Sequence, residues 1–208
     1  MVRIGIIGAT GYTGLELLRL LARHAEAQVV WLTSENSAGQ QFGDVFAVPP
    51  AIGGMTLVKA ADADLAGADV VFCCPPHAAS QGAVAAARRA GARVVDLSAD
   101  YRLHDPVQYE AWYGHPHNEQ GWLAEAVYGL PELHRAAISK TALVGNPGCY
   151  PTSIILGLAP LARAGWLGGS VIADSKSGVS GAGRGLSLKS HFVEANETPD
   201  LQIGRAHV

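Results

Sequence analysis

The sequence predicts an α/β protein built on a doubly wound parallel sheet, and two observations support that prediction. Short apolar runs alternate along the chain with Ala- and Leu-rich segments of helical spacing, which is the pattern of parallel strands joined by crossover helices. The first apolar run also leads directly into a glycine-rich turn. Because ligands bind at the carboxyl ends of parallel strands, we expect functional residues in the loops that follow the strands.

The individual elements follow from the same periodicity. Short apolar runs predict five strands, at residues 3–7, 29–33, 70–74, 93–97 and 142–144. Helical spacing of Leu and Ala predicts helices around residues 14–24 and 78–90. Loops 75–77 and 99–102 come directly after strands, so we expect both to face a bound cofactor or substrate.

The turn after the first strand has the context of a dinucleotide-binding fingerprint. It reads GATGYTG over residues 8–14, and leucines at helical spacing follow it. Gly8 and Gly11 would let the backbone approach a pyrophosphate, and Gly14 would let the helix pack on the strand. The spacing is GxxGxxG, a variant of the common GxGxxG pattern, in the expected order of strand, turn and helix.

Composition narrows the class of protein. The chain has 208 residues, 49% hydrophobic and 16% charged, so it can bury a full core. Its net charge of -3 gives no basic surface for nucleic acid, and no apolar run is long enough for a membrane span or a signal segment. We therefore expect a cytoplasmic protein that binds neither nucleic acid nor membrane.

The cysteines and histidines predict no metal site. Two of the three cysteines, Cys73 and Cys74, are adjacent in an apolar run, which is a poor disulfide framework and fits a reducing compartment. No spacing resembles a zinc site. His115 and His117 flank a proline, and we interpret them as part of a solvated loop.

The third cysteine, Cys149, is the candidate nucleophile. It lies in the stretch GNPGCYPTS at residues 145–153, between an apolar strand and an apolar helix predicted to start at Ser153. The field at a helix N-terminus favours an anion, and therefore the thiolate form that attacks carbonyl carbons. A buried structural cysteine is the commoner case for an isolated thiol, but the dinucleotide-type turn shifts the balance toward catalysis.

Five stretches occur together in an order that resembles the N-acetyl-gamma-glutamyl-phosphate reductases: GATGYTG, DLSADYRL, YGLPEL, GNPGCYPTS and SKSGVSGAGR. The resemblance covers residue 2 to about residue 196. It implies an NADP-binding Rossmann domain over residues 1–148, followed over residues 149–202 by part of an α+β catalytic and dimerisation domain. It also implies a homo-oligomer when the protein is full length.

The same resemblance implies an activity. The family reduces N-acetyl-gamma-glutamyl phosphate with NADPH to N-acetylglutamate 5-semialdehyde and phosphate, in arginine biosynthesis. Cys149 would attack the small acyl phosphate and form a thioester. Arg102 is the candidate for binding the substrate's phosphate, because a guanidinium binds phosphate in a fork. The alternatives for Arg102 are a solvated side chain or a pair with a carboxylate such as Asp100.

The resemblance assigns the NADP-binding residues to two glycine-rich loops and one serine. They are Gly8, Thr10, Gly11, Tyr12, Thr13, Gly14, Ser34, Ser177, Gly178, Ser180, Gly181, Ala182 and Gly183. One position departs from the family pattern, which often places an arginine after the serine to meet the 2'-phosphate. Here Glu35 follows Ser34, and a carboxylate would repel that phosphate, so NAD stays an alternative to NADP.

A second departure concerns the acid/base histidine, which the family supplies from a His-Arg-His-x-Pro-Glu-Ile stretch that this sequence does not contain. Residues 203–208 match the translation of the start of a common sequencing adapter. We therefore expect them to be read-through, reject His207 as a substitute, and expect the chain to be a fragment with weak or no turnover.

Three alternatives stay open at this point. The first is a sibling reductase acting on aminoadipyl phosphate or aspartyl phosphate, and the sequence after Cys149, Tyr150-Pro151-Thr152, favours the glutamyl enzyme over the aspartyl one. The second is a redox-sensing NADP-binding module without catalysis. The third is a purely structural Rossmann domain, which the cysteine and the second glycine-rich loop make the least favoured.

Overall fold

The structure, a computed structural model, describes residues 1–76 and 79–185. It divides into one unit over Met1–Asn146 and a second that begins at Pro147. The expectation for residues 203–208, and the part of the predicted catalytic domain after residue 185, lie outside the described residues. So does the end of the predicted loop 75–77.

A seven-stranded sheet organises the first unit, and every strand pair in it is parallel. The strands are β1 Val2–Ile7, β2 Ala27–Thr33, β3 Leu57–Val58, β4 Val70–Cys73, β5 Arg93–Asp96, β6 Val127–Tyr128 and β7 Leu143–Gly145. Their order is β3-β2-β1-β4-β5-β7-β6. From β1 the chain proceeds to β3 at one edge and then from β4 toward the other edge, where β6 lies outside β7, which is a doubly wound arrangement.

Helices connect these strands in the first unit. They are α1 Tyr12–Leu21, α2 Phe42–Val45, α3 Pro50–Gly53, α4 Gln81–Arg89, α5 Pro106–Tyr113, α6 Gln120–Glu125 and α7 Pro131–Ile138. One apolar core packs α1 through Leu15 and Leu18 against β1 and β2. A second packs α4 through Val84 against β4 and β5. Each fully buried aliphatic side chain contributes about 2 kcal/mol.

The five predicted strands and the helices around residues 14–24 and 78–90 are confirmed. The sequence reading missed β3 and β6, because each has two residues and shows no measurable periodicity. Their hydrogen bonds to longer neighbours define them as strands.

The second unit, as far as it is described, contains one long helix and one short one. Helix α8 spans Cys149–Arg163, so it begins four residues before the predicted Ser153. A short 3-10 helix follows at Val179–Ala182, and residues 147–185 contain no strand. No helix among the described residues is long and apolar enough to cross a membrane.

Candidate active site

The turn between β1 and α1 can be built only with glycine at two positions. Gly8 has a left-handed backbone, φ 76°, and a Cβ there would stand 3.0 Å from the backbone of Cys74. A Cβ on Gly14 would lie 2.7 Å from the carbonyl carbon of Ala9. The chain therefore passes through this turn at backbone-to-backbone contact, as a dinucleotide fingerprint requires.

Hydrogen bonds to the end of β2 hold the same turn in place. The backbone N–H of Gly8 donates to Thr33 Oγ1 at 3.1 Å, and that of Ala9 donates to the Thr33 carbonyl at 2.9 Å. The hydroxyls of Thr10 and Ser34 lie 2.9 Å apart. Thr10 follows β1 and Ser34 follows β2, and both were predicted to contact the cofactor. The structure thus brings these two predicted residues together.

The geometry of the turn suits a pyrophosphate. Gly11 is the N-cap of α1, and the N–H groups of the first helical turn have no intrahelical acceptor. Tyr12 and Thr13 lie in this turn with exposed side chains. A Cβ on Gly11 would meet only the Gly8 carbonyl, at 3.8 Å, so the space above it is open. Free donors, a helix N-terminus and open space together fit a dinucleotide's anionic centre.

Glu35, the residue that departs from the family pattern, has a structural partner. Its carboxylate accepts a hydrogen bond from the backbone N–H of Ala60 at 3.0 Å. Ala60 opens a short 3-10 helix, Ala60–Asp62, so the carboxylate satisfies a donor at a helix start. This local role accounts for an acidic residue at the position.

The loop after β5 differs from expectation, because most of it is buried rather than facing a ligand. Asp96, Ser98, Asp100 and Tyr101 are at most 1% exposed. Ser98 Oγ lies 2.7 Å from Asp96 Oδ2 and 2.7 Å from the hydroxyl of Ser80. Burial raises the pKa of the Asp96 carboxyl to about 6. The sequence signal for this burial was the presence of Ser and Asp side chains in the loop, because such small polar groups can form hydrogen bonds with nearby backbone.

Arg102 lies at the end of this loop and is half-buried. Its guanidinium donates hydrogen bonds to the residues that follow β5 and β7. Its Nε donates to the carbonyl of Asn146 at 2.7 Å, and a terminal nitrogen donates to the carbonyl of Leu97 at 3.3 Å. A guanidinium has five N–H donors, so these two bonds leave others for a phosphate. These two bonds exclude the alternative that Arg102 is merely solvated, and its contact with a substrate phosphate stays a prediction.

His117 is buried as well, which corrects the prediction that residues 115–117 form a solvated loop. The ring is 1% exposed and packs edge-on against Tyr101 and Tyr109, with centroids 4.9 and 5.0 Å away. Burial lowers the pKa of His117, although the nearby Asp100 carboxylate acts in the opposite direction. The aromatic partners come from distant positions, so local sequence could not show this packing.

In the second unit, Cys149 is the first residue of α8 and is exposed. Gly148 is the N-cap, and its carbonyl accepts the N–H of Thr152 at 3.0 Å. Pro151 lies in the first turn, where a missing N–H costs no helical bond. The thiol therefore stands at the positive end of a 15-residue helix.

The other two cysteines contrast with Cys149. Cys73 is fully buried, and burial raises its pKa well above the usual value. Burial also raises the pKa of Cys74 to about 12. Neither forms a thiolate at neutral pH, so neither is a nucleophile.

This contrast predicts selective alkylation. Treatment of the native protein with iodoacetamide near neutral pH should modify Cys149 and leave Cys73 and Cys74 unmodified, because the reagent requires an accessible thiolate. Peptide mass spectrometry measures the site, and alkylation after denaturation, which should label all three, is the control. Equal labelling of the three thiols in the native protein would contradict the assignment.

The second predicted cofactor loop lies in the same unit as Cys149. Residues 177–183 form a tight turn in which the N–H of Gly181 donates to the Gly178 carbonyl at 2.9 Å. Gly183 has a φ of 83°, which favours glycine, whereas a Cβ on Gly181 would meet only the side chain of Ser177. The cofactor contacts of Ser177, Gly178, Ser180, Gly181, Ala182 and Gly183 stay a prediction.

The fold and these residues define a dinucleotide-binding α/β unit followed by a unit whose first helix begins at a candidate nucleophilic cysteine. The model of the semialdehyde dehydrogenase NAD binding domain matches residues 3–141, and that of the semialdehyde dehydrogenase dimerisation domain matches residues 149–202. The chain belongs to the semialdehyde dehydrogenase family.

Curated relatives support the resemblance predicted from the five stretches. An N-acetyl-gamma-glutamyl-phosphate reductase of Ectopseudomonas mendocina is 48% identical over 212 residues, which cover 100% of this chain and 61% of the relative. One of Syntrophobacter fumaroxidans is 51% identical over 203 residues, 95% of this chain and 58% of the relative. The chain thus spans about three fifths of the length of these relatives.

Solved structures share the fold at lower identity. An aspartate semialdehyde dehydrogenase with NADP from Candida albicans superposes with a TM-score of 0.63 at 18% identity, covering 80% of this chain and 48% of that one. Aspartate semialdehyde dehydrogenase II of Vibrio cholerae gives a TM-score of 0.59 at 20% identity, covering 79% and 47%. These likenesses establish the architecture alone.

Proposed function

We propose that this protein is an N-acetyl-gamma-glutamyl-phosphate reductase of arginine biosynthesis, acting in the cytoplasm. It reduces N-acetyl-gamma-glutamyl phosphate with NADPH to N-acetylglutamate 5-semialdehyde and phosphate. The observation that supports the proposal most directly is the exposed Cys149 at the N-terminus of α8, in a chain 48% identical to such reductases.

Cys149 performs the covalent chemistry in this proposal. Its thiolate attacks the acyl carbon, the carbon–sulfur bond forms, and the carbon–oxygen bond to phosphate breaks with the electron pair leaving on phosphate. After reduction, the carbon–sulfur bond breaks and the sulfur leaves as thiolate. Position at a helix N-terminus favours the anionic sulfur at both stages.

The first turn of α8 also offers donors to the oxyanion that develops on the acyl oxygen. The N–H groups of Cys149 and Tyr150 precede the first intrahelical bond, which Thr152 makes to Gly148. Pro151 supplies no N–H. We therefore assign the oxyanion contacts to Cys149 and Tyr150, where one such donor is worth about 3 kcal/mol.

The turn over residues 8–14 would hold the pyrophosphate of NADP, with Ser34 toward the adenosine ribose. A bound nicotinamide supplies the hydride that reduces the thioester. Because the Glu35 carboxylate is engaged by the N–H of Ala60, it need not point at a 2'-phosphate, which supports NADP over NAD. Titration calorimetry with both dinucleotides separates the two, and tighter binding of NAD would overturn the NADP assignment.

Arg102 is proposed to bind the phosphate of the substrate. Replacement by alanine should raise the KM for the acyl phosphate by about 10- to 100-fold, because a charge-assisted bond is lost. Arg102→Lys keeps the charge but loses the fork, so we expect an intermediate KM. Steady-state kinetics measure both variants, and unchanged KM values in folded proteins would contradict the role.

A reverse assay tests the proposed function as a whole. The intact protein is given NADP and inorganic phosphate with N-acetylglutamate semialdehyde, aspartate semialdehyde or the aminoadipate-derived semialdehyde, and the formation of NADPH is followed by absorbance. We expect the highest kcat/KM with N-acetylglutamate semialdehyde. Preference for another semialdehyde would assign the protein to a sibling reductase, and NADP binding without turnover would favour a non-catalytic module.

The oligomeric state belongs to the same proposal. Residues 149–202 match a dimerisation domain, so we propose a homo-oligomer in which the second unit contributes to the subunit interface. Light scattering of the intact protein measures this directly, and a strictly monomeric species across micromolar concentrations would refute it.

A further inference from the structure

Four side chains near the end of β5 form a continuous buried series, here called the Asp–Ser chain: Asp96, Ser98, Ser80 and Asp100. All four are at most 1% exposed. The oxygen–oxygen separations along it are 2.7 Å from Asp96 to Ser98, 2.7 Å from Ser98 to Ser80, and 2.8 Å from Ser80 to Asp100. Each is a normal length for an O–H···O hydrogen bond.

The series contains more hydrogen bonds than its hydroxyl groups have protons. Three hydrogen bonds between four oxygens need three protons, and the two serine hydroxyls supply two. If both carboxyls were ionised, one of the three contacts would bring two lone pairs together in a dry interior, which is unfavourable. A third proton therefore belongs to one of the carboxyls.

The hydrogen-bond donors around each carboxyl indicate which of the two holds the third proton. Asp100 accepts the N–H and the hydroxyl of Ser80, and its other oxygen accepts the hydroxyl of Tyr109 at 2.9 Å. Three donors stabilise the anion. Asp96 Oδ1 accepts a longer bond, 3.2 Å, from the N–H of Ser98. Asp96 is therefore the acid, and it donates to Ser98, which donates to Ser80, which donates to Asp100.

We propose that Asp96 and Asp100 share a single proton through the two serine hydroxyls, and that Asp96 is a positioning residue for the loop that carries Arg102. The second part rests on the proposed function. The raised pKa of Asp96, about 6, agrees with this assignment. The N–H of Asp100 also donates to Ser98 Oγ at 3.0 Å, so the chain fixes the backbone two residues before Arg102.

Other titratable groups lie close to the Asp–Ser chain, and burial shifts the pKa of each. Cys73 and Cys74 lie beside Asp96, and Tyr101 follows Asp100. Burial raises the pKa of all three. Tyr109 and His117 pack near Asp100, where burial raises the pKa of Tyr109 and lowers that of His117. Asp96 is thus the carboxyl expected to titrate near pH 6. His117, whose pKa is lowered, is present in both the wild type and Asp96→Asn, so a comparison of the two proteins isolates the titration of Asp96.

Infrared spectroscopy of the intact protein tests the shared proton. At about pH 5, where exposed carboxyls are largely ionised, the wild type should show the C=O stretch of a buried carboxylic acid, shifted in D₂O. Asp96→Asn should remove that band, and Asp62→Asn, which alters an exposed carboxyl, should keep it. A band that survives in Asp96→Asn, or is absent from the wild type, overturns the proposal.

The pH dependence of unfolding gives an independent measure. The unfolded Asp96 loses its proton near pH 4 and the folded one near pH 6, so its contribution to stability is full below pH 4 and is lost as the pH rises to 6. Relative to Asp96→Asn, the wild-type unfolding constant should therefore rise by about 25-fold between pH 4 and pH 6, and by about 100-fold from well below to well above that range. A constant ratio between the two proteins contradicts the shared proton.

The positioning role is tested by comparing a conservative and a disruptive variant. At about pH 5, where the wild-type Asp96 holds its proton, an amide at residue 96 can donate to Ser98 as the acid does, so Asp96→Asn should retain the wild-type KM for the acyl phosphate at that pH. Asp96→Ala removes one member of the Asp–Ser chain of hydrogen bonds. It should raise that KM about tenfold with kcat nearly unchanged. Equal KM values refute positioning. A wild type without reductase activity would instead contradict the proposed function, while the infrared and unfolding results still decide the proton.

Discussion

Replacing Cys149 by serine should lower kcat for the reductase reaction by about 10⁴-fold or more. A serine hydroxyl is not ionised at neutral pH, so it attacks the acyl phosphate far more slowly than a thiolate. An oxygen ester would also be a poorer acyl donor than a thioester in the second half of the reaction. Single-turnover release of phosphate and steady-state formation of aldehyde measure the two halves separately.

A matched control distinguishes this role from a general effect of removing a thiol. Cys74→Ala deletes a half-buried thiol whose pKa, about 12, prevents it from acting as a nucleophile. We expect that variant to keep kcat within a few-fold of wild type. Both variants should bind NADP alike, because neither thiol belongs to the 8–14 turn. Retained turnover in Cys149→Ser would exclude the thioester route.

The sheet and its order of elements were predictable from sequence because they depend on short-range periodicity. The alternation of apolar runs with helical segments located β1, β2, β4, β5 and β7. The glycine turn was predictable for the same reason, since the left-handed backbone of Gly8 and the contact of Gly14 with Ala9 arise within a few residues. These features are local, and local features leave a pattern in the sequence.

The burial of polar groups was not predictable, because it depends on partners distant in the chain. Asp100 is bonded by Ser80, 20 residues earlier, and by Tyr109, nine residues later. Its hydrophilic sequence context suggests an exposed loop, whereas the fold encloses it. The burial of His117 was not predicted for the same reason, since its neighbours Tyr101 and Tyr109 come from other segments. Polarity alone predicts exposure, and only the assembled structure supplies the compensating hydrogen bonds.

The start of α8 was predicted four residues too far along the sequence, at Ser153 rather than Cys149, for a different reason. Two residues usually associated with breaks, Gly148 and Pro151, precede Ser153, and they suggested a turn over the whole stretch. Proline is compatible with the first helical turn, because the N–H it lacks has no acceptor there. The correction matters chemically: Cys149 lies in the first turn of the helix, so the N–H groups beside its sulfur are free to donate.

Gly14→Ala should destabilise the first unit by about 2–4 kcal/mol and weaken dinucleotide binding by more than tenfold. The new Cβ would overlap the backbone of Ala9, at 2.7 Å from its carbonyl carbon. Backbone cannot rotate away as a side chain can, so α1 must shift relative to β1, and the donors of its first turn shift with it. Chemical denaturation and titration calorimetry with NADP measure the two effects.

Gly82→Ala is the matched control for that variant. Gly82 also lies in the first turn of a helix in the first unit, α4, but a Cβ there would meet nothing within 4 Å. Alanine should therefore stabilise α4 slightly, by up to about 1 kcal/mol, through its higher helix propensity. Opposite signs for the same chemical change would show that close backbone contact, rather than a general preference for glycine, determines the residue at position 14. Equal effects of the two substitutions would contradict the packing role of Gly14.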